Sequence, residues 1–282
     1  MEKTLVQNIG LLCTPLGSSV HAGEMQGQME KIPEACVLME DGIITYAGSQ
    51  ADFPMEKAQG AQVIDAKGSL VTPGLIDAHT HLVFGGWRQH EIPLKLAGAG
   101  YLDILRMGGG ILSTVRHTRE ASEEELLQRS EGFLNEMLSM GVTSCEIKSG
   151  YGLDLGNELK QLRVIKKLQE THPMDIDATF LGAHAVPEEY KDDPDGFVDL
   201  LVEKILPAVA EEKLARCCDV FCETGAFDVP QSRKVLMAGK ALGLVPRIHA
   251  DEIDAIGGAE LSAEVGALSA EHLIASNEEG MQ

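Results

Sequence analysis

Residues 71–81 of the chain read VTPGLIDAHTH. This apolar run predicts one short buried strand that ends in His79 and His81. Because side chains of a strand alternate between its two faces, both imidazoles point the same way. Two imidazoles on one face can share a divalent metal ion. The alternative is two ordinary histidines at a strand end, but the apolar residues before them and Gly85-Gly86 after them favour the metal site.

Length and charge limit the classes of protein that the chain can represent. Its 282 residues, 44% of them hydrophobic, suit one large globular domain or a large and a small one. Lysine and arginine total 23 against 44 acidic residues, which gives a net charge of −21. Nucleic acids and anionic membranes are therefore unexpected partners, since both require clustered cations. An anionic small-molecule substrate would need a local cationic clamp.

The N-terminus and the cysteines predict a cytoplasmic protein. No signal peptide precedes the first apolar residues, and no apolar run is long enough for a membrane span. The six cysteines lack the spacing of a secreted disulfide framework, and most lie in apolar, strand-like runs. We expect them to be reduced and buried. A metal cluster at Cys217, Cys218 and Cys222 is the weaker alternative, because no second pair lies at zinc-finger spacing.

The chain divides into two predicted domains. Residues 1–66 are rich in strand patterns, with Asp41-Gly42 marking a tight hairpin, and predict a small β-sandwich domain. Residues 67–282 alternate between strand and helix patterns, and Ser122 with Glu125 forms a capping box before one of the helices. Six such units in a row predict a parallel α/β fold. Without a Gly-x-Gly-x-x-Gly or Walker-type loop, the pattern favours a (β/α)₈ TIM-type barrel of which about six of eight units are present.

Polar residues follow the predicted strands repeatedly. The carboxyl ends of the strands form the active face of such a barrel. Any one of these residues alone could be a solvated loop residue, but together they predict a site. They are His79 and His81, Lys148 and Tyr151, His184, Glu223, His249, and His272.

Beside the first pair, His249 is the candidate third metal ligand. Glu252 is a candidate base or acid, since a carboxylate close to a metal-bound water can move protons; an exposed acid at a helix start is its alternative. His272 either orients the water or is an ordinary core histidine. A carbamylated Lys148 bridging two metals is disfavoured, because Lys148 follows the second strand of the series while the fourth offers Glu223.

Two further residues are candidates for substrate binding. The planar guanidinium of Arg88 suits a carboxylate, although spacing alone does not separate this role from that of a surface arginine. Tyr151 lies between glycines at a strand end and is a weaker candidate.

Several blocks of sequence carry a resemblance to a known family. Residues 73–81 resemble the first-strand signature of the amidohydrolase superfamily. The longer string through Trp87, Arg88 and Glu91 is similar to the imidazolonepropionase family, as are blocks 108–111, 146–153, 181–187 and 249–252.

The resemblance implies hydrolysis of a cyclic amide C–N bond in histidine degradation. Water would open 4-imidazolone-5-propanoate to N-formimidoyl-L-glutamate. One Zn or Fe ion would be held by His79, His81, His249 and an aspartate of the eighth strand. The resemblance also implies a homodimer and a composite β-sandwich completed by strands that follow the barrel.

The same resemblance implies roles for the remaining site residues. Arg88 would bind the propionate, and Tyr151 and His184 would contact the substrate. Glu252 would contact the substrate and act as base and proton shuttle, while His272 would help to place the water.

The chain departs from the family after Gln282. No earlier aspartate fits the eighth-strand position, so we expect a truncated product that binds metal weakly and turns over poorly. Two alternatives stay open: another aminohydrolase of the superfamily acting on a heterocyclic base, and a non-catalytic fragment.

Overall fold

The computed structural model describes residues 2–17, 19–100, 104, 107 and 109–282. Gly108 of block 108–111 and part of the glycine-rich loop before it lie outside the described residues. The chain separates into two compact units, Met1–Gly74 and Leu75–Gln282. This division falls later in the chain than the boundary predicted at residue 66.

The N-terminal unit is built on one mixed sheet with the strand order β3-β2-β1-β4, and β5 also pairs with β1. The predicted hairpin is confirmed: β2 and β3 are antiparallel, and Asp41 and Gly42 between them have φ angles of 49° and 81°. Both residues lie in the left-handed region that such two-residue turns require. The strands are β1 Lys3–Pro15, β2 Met29–Glu40, β3 Ile43–Ser49, β4 Gln62–Asp65 and β5 Leu70–Val71.

Apolar side chains of this sheet form two separate clusters. One contains Leu5, Leu38 and Phe53, and the other contains Ile9 and Leu12. The alternation of side chains along β2 explains the separation, since Cys36 and Leu38 belong to the first cluster and Ala35 and Val37 to the second. The described strands of the unit form a single sheet, so the sheet is confirmed and the second layer of a sandwich stays a prediction.

The C-terminal unit contains the predicted parallel α/β sheet. Its described strands run β12-β11-β9-β8-β7-β6, and β10 pairs with β9. Every pairing in this sheet is parallel. The fifth predicted strand is present as two short pieces, β10 and β11. The strands are β6 Leu75–Asp77, β7 Val142–Lys148, β8 Asp175–Ala183, β9 Cys217–Cys222, β10 Val245–Pro246, β11 Ile248–Ala250 and β12 Ala270–His272.

Helices connect these strands and pack on the sheet through one continuous apolar core. Ser122 and Glu125 form the predicted capping box at the start of α3. Asp154 caps α4, and Asp228 caps α7 with Pro230 in its first turn. The helices are α1 Ile92–Leu96, α2 Ile111–Glu120, α3 Glu123–Ser139, α4 Leu155–Thr171, α5 Pro194–Leu200, α6 Leu206–Glu211, α7 Val229–Ala241, α8 Gly258–Val265 and α9 Glu278–Met281.

The strand before the two histidines differs from its prediction. Residues 71–81 do not form one short buried strand that ends in the histidines: β6 has three residues, and Leu75 and Ile76 are 55% and 73% exposed. Among the described strands, β6 pairs with β7 alone, so it is an edge of the sheet and its apolar side chains stay uncovered. None of the helices in the described part of the chain is long and apolar enough to cross a bilayer.

Candidate metal centre and active site

The segment that follows β6 places the first two histidines. Its backbone continues alongside β7, because the amide of Lys148 donates to the Thr80 carbonyl at 2.9 Å. The Thr80 hydroxyl donates to the Glu146 carbonyl at 2.5 Å. Thr80 is therefore anchored on the sheet, and His79 and His81 on either side of it face the same space. Their Nε2 atoms are 3.3 Å apart.

The third histidine comes from β11 and meets this pair. His249 is 2% exposed, and its Nε2 lies 3.4 Å from Nε2 of His81. A tetrahedral metal ion with nitrogen ligands at about 2.0–2.1 Å separates those nitrogens by about 3.3–3.4 Å. The spacing and the imidazole donors of His79, His81 and His249 therefore fit a metal ion of the zinc or iron type.

Burial keeps the imidazoles of His79 and His81 neutral, which metal binding requires. Burial, together with the nearby charges of His249 and Lys148, lowers the pKa of His79 to about 3. The pKa of His81 is lowered well below its usual value by burial and by the neighbouring histidines. Neutral rings can present an unprotonated nitrogen to a cation at physiological pH.

His272 and Glu252 lie beside the histidine cluster at its open side. The ring of His272 is 5.2 Å from that of His79 and 5.1 Å from that of His249, measured between centroids. The Oε2 atom of Glu252 lies 3.7 Å from Nε2 of His272. His272 has a φ of 73°, a strained value for a residue with a Cβ. The structure thus brings together the two residues predicted for proton transfer and water placement.

The loop that carries Glu252 is fixed by the buried carboxylate before it. Asp251 is 1% exposed, and its two oxygens accept from the amide of Gly258 and the hydroxyl of Ser276. Its carbonyl accepts from the amide of Ala275 at 2.8 Å. The loop after β11 is therefore tied to both α8 and the segment after β12.

His184 and Tyr151 form the opposite wall of the site. The His184 ring stacks on His81 with 4.7 Å between centroids and 16° between planes. Tyr151 lies 5.3 Å from His184 and 5.7 Å from His81. Burial lowers the pKa of His184 to about 3, so this ring is also neutral. Gly150 has a φ of 106°, and a Cβ there would come within 2.8 Å of Nδ1 of His184, so only glycine fits under the ring.

Two buried residues of α4 hold the loop of Tyr151, and sequence reasoning missed both. Glu158 accepts from the amides of Gly152 and Leu153 at 2.8 and 2.9 Å. Gln161 accepts from the amide of Tyr151 at 3.0 Å and donates to the Val83 carbonyl. Their sequence signal is two polar residues three positions apart on the apolar face of α4.

Arg88 is placed apart from this cluster. It precedes the helical turn Gln89–Glu91 and is half-buried. None of the hydrogen bonds, ion pairs or ring contacts found among the described residues joins its side chain to the histidines. Its predicted role on a carboxylate stays a prediction.

Beneath the histidines lies a buried cluster of charged residues, which we call the lysine cluster: Lys148, Glu146, Asp219 and Glu271. The Lys148 ammonium contacts Glu146 and Asp219 at 2.8 Å and Glu271 at 3.1 Å. Although burial alone lowers the pKa of Lys148, these carboxylates raise it to about 12. Sequence reasoning missed Asp219 and Glu271, because acidic residues inside short strands give no periodic signal.

Comparison with known proteins identifies the family. The amidohydrolase family matches residues 62–99. The imidazolonepropionase of Alkaliphilus metalliredigens (strain QYMF) is 50% identical over 284 residues, which cover 100% of this chain and 67% of that protein. The chain belongs to the imidazolonepropionase family. The imidazolonepropionase of Geobacillus sp. (strain WCH70) is 48% identical over 287 residues, covering 100% of this chain and 68% of its own length.

The chain thus spans about two thirds of the length of these members of the imidazolonepropionase family. Solved structures agree on the fold. N-isopropylammelide isopropylaminohydrolase from Burkholderia multivorans gives a TM-score of 0.60 at 20% identity, covering 94% of this chain and 59% of that one. Guanine deaminase from C. acetobutylicum gives a TM-score of 0.60 at 12% identity, covering 99% of this chain and 64% of that one. The predicted amidohydrolase fold and family membership are confirmed.

Proposed function

We propose that the site hydrolyses 4-imidazolone-5-propanoate to N-formimidoyl-L-glutamate. The observation that carries this proposal is the convergence of three histidine nitrogens at 3.3 and 3.4 Å in a chain that is 50% identical to an imidazolonepropionase. His79, His81 and His249 would hold one ion, Zn or Fe. When bound, the ion makes water nucleophilic near neutral pH and polarises the carbonyl that is attacked.

The chain's own residues supply the proton transfers. Glu252 takes a proton from the attacking water and delivers one to the ring nitrogen as the C–N bond breaks. His272, 3.7 Å from that carboxylate, orients the water. Neutral His184 and Tyr151 contact the substrate ring, and Arg88 pairs with the propionate. The same proposal includes an anionic small-molecule substrate, a cytoplasmic location and a homodimer.

Metal content is the first test of this proposal. Because weak binding is expected, the purified chain is dialysed to equilibrium against Zn²⁺ or Fe²⁺, and it should then hold about one ion by elemental analysis. His249→Ala should abolish retention, whereas His172→Ala, outside the cluster, should retain the ion. Equal retention by the unmodified chain and the His249 variant would contradict the proposed site.

Product analysis tests the reaction. With 4-imidazolone-5-propanoate, the expected result is loss of the imidazolone absorbance with formation of N-formimidoyl-L-glutamate and no ammonia. Ammonia release from a heterocyclic base would instead indicate an aminohydrolase. Metal retention without any turnover would indicate a non-catalytic chain.

Arg88→Gln tests the carboxylate contact. In a chain extended to the length of its relatives, this change should mainly raise KM, because it removes a bidentate contact to a part of the substrate that does not react. An unchanged KM would refute the role of Arg88.

A further inference from the structure

The carboxylate of Asp219 is the closest partner of the most buried metal-binding histidine. Asp219 is fully buried on β9. Its Oδ2 lies 3.0 Å from Nδ1 of His249. The contact is not aligned as a hydrogen bond, but a carboxylate beside an imidazole nitrogen favours a proton on that nitrogen, and in a neutral ring the other nitrogen, Nε2, then keeps its lone pair. That nitrogen is the one that faces His81.

The other contacts of Asp219 leave its carboxylate a single orientation. Oδ1 accepts from the backbone amides of Val220 at 2.7 Å and His249 at 3.2 Å. Oδ2 contacts the Lys148 ammonium at 2.8 Å as well as the His249 ring. Every neighbour is a donor, so each of the two oxygens must act as an acceptor.

The ligand atoms of Asp219, His249 and Glu271 lie close enough together to hold a cation. Lys148 explains why this group is not an additional metal site. The ammonium already contacts both carboxylates of that group, at 2.8 and 3.1 Å. Glu271 in turn lies 3.6 Å from Nδ1 of both His79 and His249. The fixed cation therefore keeps the carboxylates directed at the Nδ1 side of the rings.

We propose that Asp219, held by Lys148, is a positioning residue that fixes the tautomer of His249 so that Nε2 is free for the metal ion. The inference deepens the proposed function and rests on its metal site. Asp219 touches neither substrate nor metal, and it acts through the ring of His249.

Replacement by asparagine tests this role with little change in shape. In Asp219→Asn, whichever way the amide turns, its nitrogen faces donors only: Lys148 and His249 Nδ1 on one side, two backbone amides on the other. With the amide nitrogen towards the ring, the clash is relieved when the His249 proton moves to Nε2, which then cannot bind metal. With the amide oxygen towards the ring, the negative charge that favours a proton on Nδ1 is still lost. We expect the affinity for Zn²⁺, measured by competition with a chromophoric chelator, to fall by about 10–100-fold.

The matched control is Asp177→Asn. Asp177 is half-buried on β8 and pairs with Arg216 and with Arg247, whose guanidinium also contacts Glu146 of the lysine cluster; its Oδ2 is 3.1 Å from Arg247. No contact found among the described residues joins it to a histidine. Its variant should keep the metal affinity of the unmodified chain. An equal loss in both variants, or no loss in Asp219→Asn, would overturn the proposal.

A second measurement decides the matter even if Asp219→Asn fails to fold. In the metal-free chain labelled with ¹⁵N-histidine, two-bond ¹⁵N–¹H correlation spectra distinguish the tautomers, and the His249 signals are assigned by their loss in His249→Gln. The expected form carries its proton on Nδ1; a proton on Nε2 would overturn the proposal. Failure of the unmodified chain to bind metal would count against the proposed function, while the tautomer is measured independently.

Discussion

The central and edge strands of the C-terminal sheet contrast sharply. The central strands β7, β8 and β9 have six to nine residues and buried carboxyl-terminal halves. The edge strands β6 and β12 have three residues each, and none of these is buried. Yet His79 and His81 follow one edge strand and His272 ends the other. The edges thus carry reactive side chains, whereas the centre carries Lys148 and Asp219, which face the Nδ1 side of His249.

The site therefore combines a rigid half on the central strands with a weakly supported half on the edge strands. The buried charges of the centre are tied to several partners each, so losing one of them leaves the others uncompensated. The edge residues are paired on one side only among the described strands. Three measurements on the C-terminal unit test this contrast, and Trp87, its single tryptophan, reports the unfolding of that unit alone.

Lys148→Met should produce the largest effect. The variant removes the ammonium and leaves the buried Glu146 and Asp219 close to the half-buried Glu271. We expect the free energy of unfolding to fall by about 3–5 kcal/mol, as for other broken buried ion pairs. Urea titrations followed by Trp87 fluorescence measure it. In Lys167→Met, at an exposed position on α4, the free energy of unfolding should change by no more than about 0.5 kcal/mol. Equal losses in the two variants would show that the buried charges of the centre do not contribute more than an exposed lysine.

Acidification should produce an intermediate effect. The pKa of His184 at the end of β8 is about 3, whereas histidine in the unfolded chain titrates near 6.5. Between these values the unfolded state binds more protons, so stability should fall as pH falls from about 6.5. His184→Gln should reduce that slope by up to one proton, or about 1.4 kcal/mol per pH unit. Identical slopes in urea titrations between pH 7 and 4.5 would contradict a neutral, half-buried His184.

Ile76→Ala should produce the smallest effect. Ile76 is 73% exposed on the edge strand, so its loss should change stability by no more than about 0.5 kcal/mol. The same change at Ile147, fully buried on β7, should cost at least about 2 kcal/mol. A large loss of stability in Ile76→Ala would show that another surface covers this edge in solution. The oligomeric states of the two variants would then be compared.

Sequence patterns predicted the features that depend on local chemistry. The Asp41-Gly42 hairpin, the Ser122 capping box and the six strand positions all follow from residues close together in the chain. The convergence of His79, His81 and His249 also followed, because parallel strands bring their carboxyl ends to one face. Arg88 shows the limit of this reasoning, since spacing alone did not connect it to the histidines and its role remains a prediction.

The missed features depend on contacts between distant parts of the chain. Lys148 meets Asp219 across 71 residues and Glu271 across 123, and no local pattern indicates such partners. The exposure of Leu75 and Ile76 was missed for a related reason. Whether an apolar strand is buried depends on what packs on it, and a strand at a sheet edge has the same composition as a central one.

The contact between His81 and His249 joins positions 168 residues apart. A metal ion shared by these two rings would act as a cross-link that closes a very long loop, and the ends of such a loop meet only after the intervening βα units have formed. Its binding energy therefore becomes available late in folding. The ion would hardly accelerate the first steps of folding, but it would slow the separation of the segment after β6 from β11 once the chain has folded.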